Sequence, residues 1–552
     1  MIGVISKQKE REVVEEFFQL FKTPWEFYNP DRLQYEVLIA TDGSLPETDA
    51  SLIVIYGTEE SRFDLCELAE AGLKGLDAFV EQDDIRLPIY GKAVTFSNPD
   101  RPILFCGKSR EPIGYETRKG EQRILRIGYN LFEEVLYLLS EGQPPENGLI
   151  PTLDLHIAML RNWIVETGIP LVEIPPVPAG YRFIVCLTHD VDFISIRRHF
   201  LDHSMWGFLY RATVGSLFGL VKRKNNLHKL QENLKAALSL PFVFLGIGKD
   251  PWYQFDRCLE IENNARSTYF FIPFKDRAGK GFSKGRLKRR ATKYDIEDVG
   301  YTIKKLLAHG CEVGVHGIDA WHSVEKGKEE LQRIRKQTAT QDGIGIRMHW
   351  LSRNEHTFEI LDEAGYSYDS TFGYNETVGF KAGTAQVFKP MGVKHLLEIP
   401  LHIQDMALFG HGRMNTSEAH ADELCQQIID HVNRHSGVLT ILWHQRSLGP
   451  ERLWGNFYVR LINQLKGENV WFATANEIAE WFRMRRSARF ATEKSSAGEV
   501  QIRLEPMGKS SLPQLVIRSY KQKNPSVFET YPVAAKQSYE DTPHNDKRYL
   551  HF

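Results

Sequence analysis

One stretch constrains this chain more than any other, because residues 183–192 (FIVCLTHDVD) form an apolar run that ends abruptly in two carboxylates. Side chains at positions i and i+2 of a strand point to the same face, so Asp190 and Asp192 project together from the carboxyl end. His189 and Val191 point the other way. Two adjacent carboxylates repel, and one of them is usually protonated or bound to a cation. The alternative is that the two acids only cap a helix or a turn after a core strand.

Strand-like and helix-like segments alternate from residue 181 to residue 486. This alternation is typical of a parallel sheet that closes into a barrel or carries helices on both faces, and ligands bind at the carboxyl ends of its strands. After the opening strand, the predicted strands are residues 267–272, 312–316, 344–348, 396–400, 438–444 and 470–473, and the predicted helices are residues 295–309, 326–338 and 356–365.

Three regions are predicted. Residues 1–175 form a smaller α/β domain of unknown function, residues 181–486 form the barrel, and residues 487–552 form a hairpin and a disordered tail. In the first region, helices are predicted at residues 9–22, 62–79, 125–140 and 153–167 and strands at residues 35–40 and 52–56. The Pro-rich residues 174–180 are predicted to be a stiff, extended connector. In the last region, alternating runs at residues 499–504 and 515–520 predict the hairpin, and the polar composition from Lys521 onward predicts disorder.

Composition places the chain among globular proteins of the cell interior. Hydrophobic residues make up 42% of the 552 residues and the formal net charge is -2, so nothing in the overall charge points to a nucleic-acid partner. The six cysteines form no C-x-x-C pair and predict reduced thiols. The N-terminus shows no secretory signal. We therefore expect a cytoplasmic protein whose oligomeric state the sequence leaves open.

Two segments suggest contacts with other molecules. Residues 204–221 are apolar but contain Arg211, and they are followed by the basic residues 222–224. This pattern is compatible with an interfacial helix at the inner face of the membrane, or with a helix packed on the barrel. Residues 284–293 concentrate six basic side chains. They form either a solvated loop or a contact for an anionic substrate such as a lipid-linked sugar phosphate.

Polar side chains recur where the predicted barrel strands end. Asp190 and Asp192 are joined by His316, by Arg347 with His349, and by His444. A single histidine of this kind is more often a satisfied core residue or part of a surface ion pair. Four strand ends that carry Asp, His, Arg and His together indicate a catalytic site.

These motifs resemble the polysaccharide deacetylase (NodB-homology) family of carbohydrate esterases. Residues 188–192 (THDVD) are similar to its first motif, residues 312–322 (EVGVHGIDAWH) to its second, residues 347–350 (RMHW) to its third and residues 442–444 (LWH) to its last. Further similar pieces are residues 267–271, 365–371 and 398–400. The resemblance implies a distorted (β/α)7 barrel that holds one divalent metal ion, for which zinc is the first expectation. Members in which a domain of unknown function precedes the barrel match the layout of this chain.

The resemblance also implies roles for individual residues. The metal ligands would be Asp192, His316 and His322. Asp190 would be the catalytic base, held in place by Arg347, and His444 would protonate the leaving group.

Two departures from the family pattern keep the ligand set open. Five residues separate His316 from His322, where the family usually has three, so Asp319 or His349 is an alternative third ligand. The third motif also lacks its usual proline after Arg347 and Met348, which alters the expected wall of the substrate groove.

The function that follows from the resemblance is that of a hydrolase acting on carbon-nitrogen bonds other than peptide bonds. We expect a metal-dependent deacetylase that removes an acetyl group from an amino sugar, its partner being an acetylated sugar or polysaccharide precursor in the synthesis of a cell-surface polysaccharide. One alternative is the hydrolysis of a non-sugar amide or imide on the same barrel. Another is a carbohydrate-binding or assembly module without catalysis.

Overall fold

The computed structural model describes residues 1–32, 34–41, 45–59, 68–70, 79–82, 85–107, 109–221, 226–280, 291–340, 342–492, 500–503, 512–521 and 524–532. The helices are α1 (Arg11–Phe21), α2 (Leu131–Ser140), α3 (Thr152–Glu166), α4 (His203–Tyr210), α5 (Ser216–Val221), α6 (Leu227–Phe244), α7 (Phe255–Glu262), α8 (Gly300–Ala308), α9 (Val324–Thr338), α10 (Thr357–Ala364), α11 (Asp405–Phe409), α12 (Glu418–His435), α13 (Gly455–Lys466) and α14 (Ala475–Ser487).

The strands belong to two large sheets and to smaller ones. They are β1 (Ile2–Ile5), β2 (Trp25–Phe27), β3 (Val37–Ala40), β4 (Leu52–Tyr56), β5 (Leu68–Glu70), β6 (Phe79–Gln82), β7 (Ile85–Pro88), β8 (Val94–Phe96), β9 (Pro102–Cys106), β10 (Pro112–Lys119), β11 (Gln122–Ile127), β12 (Leu171–Glu173), β13 (Ile184–Val191), β14 (Ser267–Phe271), β15 (Glu312–Gly317), β16 (Ile346–Met348), β17 (Tyr368–Asp369), β18 (Leu397–Glu398), β19 (Ile403–Gln404), β20 (Val438–Leu442), β21 (Trp471–Phe472), β22 (Arg489–Thr492), β23 (Val500–Arg503), β24 (Val516–Lys521) and β25 (Asn524–Pro532).

The N-terminal sheet has the order β2-β1-β3-β4-β11-β10-β9-β6-β7, parallel from β2 to β11 and antiparallel beyond. The predicted helix over residues 125–140 is wrong at its start. Leu125 lies in β11, paired with both β4 and β10, and the helix begins only after Asn130, whose side chain accepts the N–H groups of Phe132 and Glu133. The helix predicted over residues 62–79 is contradicted by the strands β5 and β6, and its other residues lie outside the described part.

The second large sheet is parallel throughout and curled, in the order β18-β17-β16-β15-β14-β13-β20-β19, with β21 paired to β13. The predicted strands are present in the predicted order, while the two-residue strands β17 and β19 were not predicted. The predicted class of distorted parallel barrel is confirmed. Strand β13 is buried along its whole length between β14 and β20. Because the strands are parallel, the ends of β13, β15, β16 and β20 meet at one rim.

The Pro-rich segment, predicted to be a stiff, extended connector, is packed into the protein. Residues 171–178 are buried, and the buried guanidinium of Arg485 on α14 donates to the carbonyl oxygens of Ile174 and Leu20 at 2.7 and 2.9 Å. Beside it, Arg486 pairs with Glu16 of α1 at 2.7 Å. The end of the barrel chain is therefore fastened to the N-terminal region. That residues 1–175 fold as a unit of their own stays a prediction.

The C-terminal strands exist as predicted, but their partners differ. Strand β23 pairs with β22, and β24 lies between β12 and β25 in an antiparallel sheet. The predicted hairpin between the two alternating runs is therefore wrong. The tail predicted to be disordered from Lys521 contains a strand, β25, and residues 533–552 lie outside the described part. Both differences, the hairpin partner and the strand in the tail, result from pairing between distant segments. An alternating run does not specify its partner.

A helical insertion separates β13 from β14. Helix α4, a π-helical turn (Arg211–Gly215) and α5 run continuously over the predicted segment, and α6 returns beside them. Within the described residues, no helix is long and apolar enough to cross a membrane. Of the basic segment at residues 284–293, residues 284–290 lie outside the described part, and Lys293 pairs with Asp276 at 2.7 Å.

Candidate active site

Three side chains from three strand ends converge on one point. Asp192 follows β13, His316 lies in β15 and His349 follows β16. Oδ1 of Asp192 is 3.3 Å from Nε2 of His316 and 3.4 Å from Nε2 of His349. One ligand atom from each of the three residues lies within 4.8 Å of the other two.

Both histidines are aimed at Asp192 by the backbone around them. Nδ1 of His316 donates to the carbonyl oxygen of Arg347 at 2.9 Å, which leaves its Nε2 as an acceptor facing the carboxylate. After β16 the chain turns sharply, with Trp350 at φ 63° in the left-handed region that non-glycine residues rarely adopt. This turn keeps His349 at the strand end, where its ring lies 4.9 Å from that of His316.

The third member of this group differs from the first choice of the sequence analysis. Among the described residues, His322 is not part of the group, and its Nε2 instead lies 3.1 Å from Oδ1 of Asp319. The buried carboxylate of Glu330 accepts the backbone N–H groups of Ile318 and Asp319, so the chain after β15 is fastened to α9. His322 and Asp319 therefore pair with each other, and His349, one of the two alternatives, completes the cluster.

Asp190 lies beside the cluster and is bound by Arg347. The buried guanidinium reaches Oδ1 of Asp190 at 3.2 Å and donates to the Thr188 hydroxyl at 2.7 Å. It also donates to the carbonyl and hydroxyl oxygens of Ser370 at 2.8 and 2.7 Å. The second carboxylate oxygen of Asp190 lies 3.8 Å from Nε2 of His316. Arg347 is thus fixed by several partners and presents one charge to Asp190.

His444 follows β20 and approaches Asp192 from the other side of β13. Its Nε2 lies 3.6 Å from Oδ2 of Asp192, and its Nδ1 lies 2.8 Å from Oδ1 of the buried Asp405. The other oxygen of Asp405 accepts the backbone N–H of His444 at 2.9 Å. Burial lowers the pKa of His444, but the charge and hydrogen bond of Asp405 outweigh it and raise the pKa to about 9. Sequence reasoning missed Asp405, which follows the two-residue strand β19.

The cluster of Asp192, His316 and His349 has the chemistry of a divalent metal site. Oδ1 of Asp192 is buried and has no hydrogen-bond partner of acceptable geometry in the described part of the chain, although two imidazole nitrogens face it. Burial raises the pKa of Asp192, but the charges of His349 and His444 oppose it, and the pKa is held far below its usual value. Two histidines and one carboxylate form a donor set that suits zinc or another first-row metal.

A second group of potential ligands, His189 with Cys258 and Glu262, lies on the opposite face of β13. Both nitrogens of His189 are engaged there, Nδ1 with the carbonyl oxygen of Trp443 at 2.6 Å and Nε2 with Oε1 of Glu262 at 2.7 Å. Burial raises the pKa of the Cys258 thiol well above its usual value, which keeps it protonated. This group is therefore a buried contact between His189 and Glu262 that holds α7 against β13.

Removing one member of this pair is expected to destabilise the fold. Glu262→Ala leaves His189 without its carboxylate and Tyr458 without the acceptor that now lies 2.8 Å from its hydroxyl. Leaving a buried polar group without its partner costs about 1–3 kcal/mol, so urea denaturation should show a lower free energy of unfolding. The matched control is Glu260→Ala on the exposed side of the same helix, which should change little. Equal losses in both variants would contradict this account of the pair.

Comparison with known proteins gives matches among solved structures alone, since no family model and no curated protein sequence matches the chain. A structure described as a polysaccharide deacetylase from Mycobacterium smegmatis is 19% identical, covers 56% of this chain and 95% of its own, and has a TM-score of 0.35. The carbohydrate deacetylase Agd3 is 8% identical, covers 97% and 98%, and has a TM-score of 0.33. Puue allantoinase is 15% identical, covers 55% and 92%, and has a TM-score of 0.33. With these low scores, the barrel assignment rests on its own strand pairing.

Proposed function

We propose that this protein is a metal-dependent deacetylase that hydrolyses the N-acetyl group of an amino sugar in the synthesis of a cell-surface polysaccharide. The observation that carries the proposal is the arrangement around the buried Oδ1 of Asp192. Two imidazole nitrogens face this atom, while an arginine-held carboxylate and a carboxylate-held imidazole lie to either side of it. The four motifs that resemble those of polysaccharide deacetylases contribute these residues.

Asp192, His316 and His349 would hold the metal ion, with zinc as the first candidate. Bound there, such an ion supplies Lewis acidity toward a carbonyl oxygen and lowers the pKa of water. Asp190 would accept a proton from the attacking water, and the Arg347 guanidinium keeps that carboxylate oriented. His444 has a raised pKa and carries a proton at neutral pH, so it can donate that proton to the leaving amine. The charge of Asp405 stabilises the imidazolium.

Trp350 supplies a surface on which a sugar ring can bind. It directly follows His349, its ring centroid lies 5.5 Å from that of His349, and 43% of its surface is exposed. The apolar face of a pyranose stacks on indole rings. Trp350→Ala is therefore expected to raise KM for an N-acetylated sugar substrate by about tenfold, which corresponds to the loss of one such contact. Steady-state kinetics with Trp350→Phe as the control should give an intermediate KM. A lower kcat with unchanged KM would contradict the stacking role.

The proposal is tested by metal analysis of the purified protein followed by an acetate-release screen. Nucleotide-linked and lipid-linked N-acetylated amino sugars form the panel, with and without a chelator, and cyclic imides and ureides are included as non-sugar amides. Bound metal together with chelator-sensitive acetate release supports a sugar deacetylase. Turnover of only the imides or ureides indicates the second hydrolase class. Absence of both metal and turnover overturns the enzyme proposal and favours a binding module.

A further inference from the structure

The helical insertion between β13 and β14 carries most of the large hydrophobic side chains that are exposed in the described chain. The described chain exposes nineteen large hydrophobic side chains in all. Fourteen of them lie between residues 200 and 247. On the continuous run of α4, the π turn and α5, the exposed ones fall at helical spacing: Trp206, Tyr210, Val214, Leu217, Phe218 and Val221.

A second apolar stripe lies on α6, where Leu234, Leu238 and Phe242 are exposed. The opposite faces of these helices pack together around a small core that includes Phe208, Leu240 and the buried Trp252. The insertion thus has a core of its own and still presents two apolar stripes to solvent. Exposed apolar patches of this extent on a globular protein mark interaction surfaces.

The charge of the insertion indicates which partner fits. Residues 200–247 contain six lysines and arginines but only two acidic residues, in a chain whose net charge is -2. Arg211 and Lys229 pair with Glu451 and Glu418 outside this segment, at 2.8 and 3.0 Å. The segment still has more basic residues than its own two acids and these two partners together. Helices with Trp, Phe and Leu on one face and Lys or Arg around it lie in the headgroup region of anionic membranes, and Trp and Tyr prefer that depth.

We infer that this insertion, residues 200–247, is a docking surface for an anionic lipid bilayer. The two stripes enter the interface while the basic residues meet the headgroup charge. A second copy of the chain would bury the apolar stripes equally well, but it would place one net positive insertion against another.

Side-chain contacts join this surface to the rim of the candidate active site. The insertion leaves β13 directly after Asp192. Arg211 pairs with the buried Glu451 at 2.8 Å, and the guanidinium carbon of Arg446 stacks 3.7 Å over the ring of Trp252. Arg446 and Glu451 belong to the segment that follows His444. Docking would therefore hold the mouth of the site close to the membrane, where a lipid-linked sugar could reach it. This last consequence rests on the proposed function, whereas the docking itself does not.

Co-sedimentation of the full chain with vesicles tests the inference without using activity. Vesicles of phosphatidylcholine with about 30% phosphatidylglycerol are compared with pure phosphatidylcholine, at about 0.1 M and 0.5 M salt. The variant Phe218→Glu/Leu238→Glu changes two side chains that are 59% and 76% exposed, so folding should be kept, and a thermal melt verifies this. Tyr301→Glu on α8, 80% exposed and outside the insertion, is the matched control.

We expect the unchanged protein and Tyr301→Glu to bind the anionic vesicles, more weakly at high salt. The double variant should bind at least about tenfold more weakly, since each glutamate removes the transfer of a large apolar side chain. Failure of the unchanged protein to bind, or equal binding by the double variant, overturns the inference. So does a dimer seen by sedimentation velocity that the double variant abolishes while no vesicles are bound. Vesicle binding without any acetate release would refute the proposed function alone.

Discussion

Asp190→Asn is expected to lower kcat by about 10²- to 10⁴-fold, the usual contribution of a positioned general base, while the bound metal and the fold stay unchanged. Asparagine keeps the shape of the side chain and can still interact with its surroundings, but an amide does not accept a proton at neutral pH. Oδ1 of Asp190 faces Arg347, and Oδ2 remains directed toward the cluster. Acetate release and metal content should therefore be measured on the same preparation.

The control for this experiment is Asp256→Asn, an exposed acid on α7, which should leave both quantities unchanged. Full activity of Asp190→Asn would mean that Asp190 has no catalytic role. Loss of metal together with activity would make Asp190 a ligand, and the base would then have to be sought among His349, His444 and Asp319.

Much of the barrel could be predicted because its strands are short apolar runs with polar residues at one end. The rule that alternate side chains share a face placed Asp190 and Asp192 together and sent His189 to the other side, where it meets Glu262. Strand partners between distant segments could not be predicted in this way. The run at residues 515–520 alternates as any edge strand does, and its pairing with β12 depends on where residues 171–173 lie.

Asp405 and His349 show why the site was only partly predictable. Asp405 follows a strand of two residues, too short to give a periodic pattern, and only the fold brings it to His444. His349 occupies the position after Arg347 and Met348 where the resembled motif has proline. Together with the long spacing between His316 and His322, this is the signal in the sequence for His349 as the alternative third ligand. Its orientation depends on the left-handed turn at Trp350, which no propensity predicts.

The proposal that His349 and not His322 is a metal ligand can be tested with an alanine variant of each. Both variants lose one imidazole, and only the one at His349 should lose the metal. His349→Ala is expected to lose most of the bound metal and nearly all acetate release, since a carboxylate and one histidine are too few ligands for a stable zinc site. His322→Ala should keep the metal, because the only polar contact of this imidazole in the described residues is with Asp319.

Metal content measured by mass spectrometry after exhaustive dialysis distinguishes the two variants, with His309→Ala on the exposed end of α8 as a control for the loss of a surface histidine. His309 lies outside the site, so its variant should match the unchanged protein. If His322→Ala loses the metal and His349→Ala keeps it, the loop after β15 must move when the ion binds, and the family spacing is restored by that movement. If both variants lose the metal, both imidazoles bind the ion. His322 would then give up its contact with Asp319 and become a fourth protein ligand.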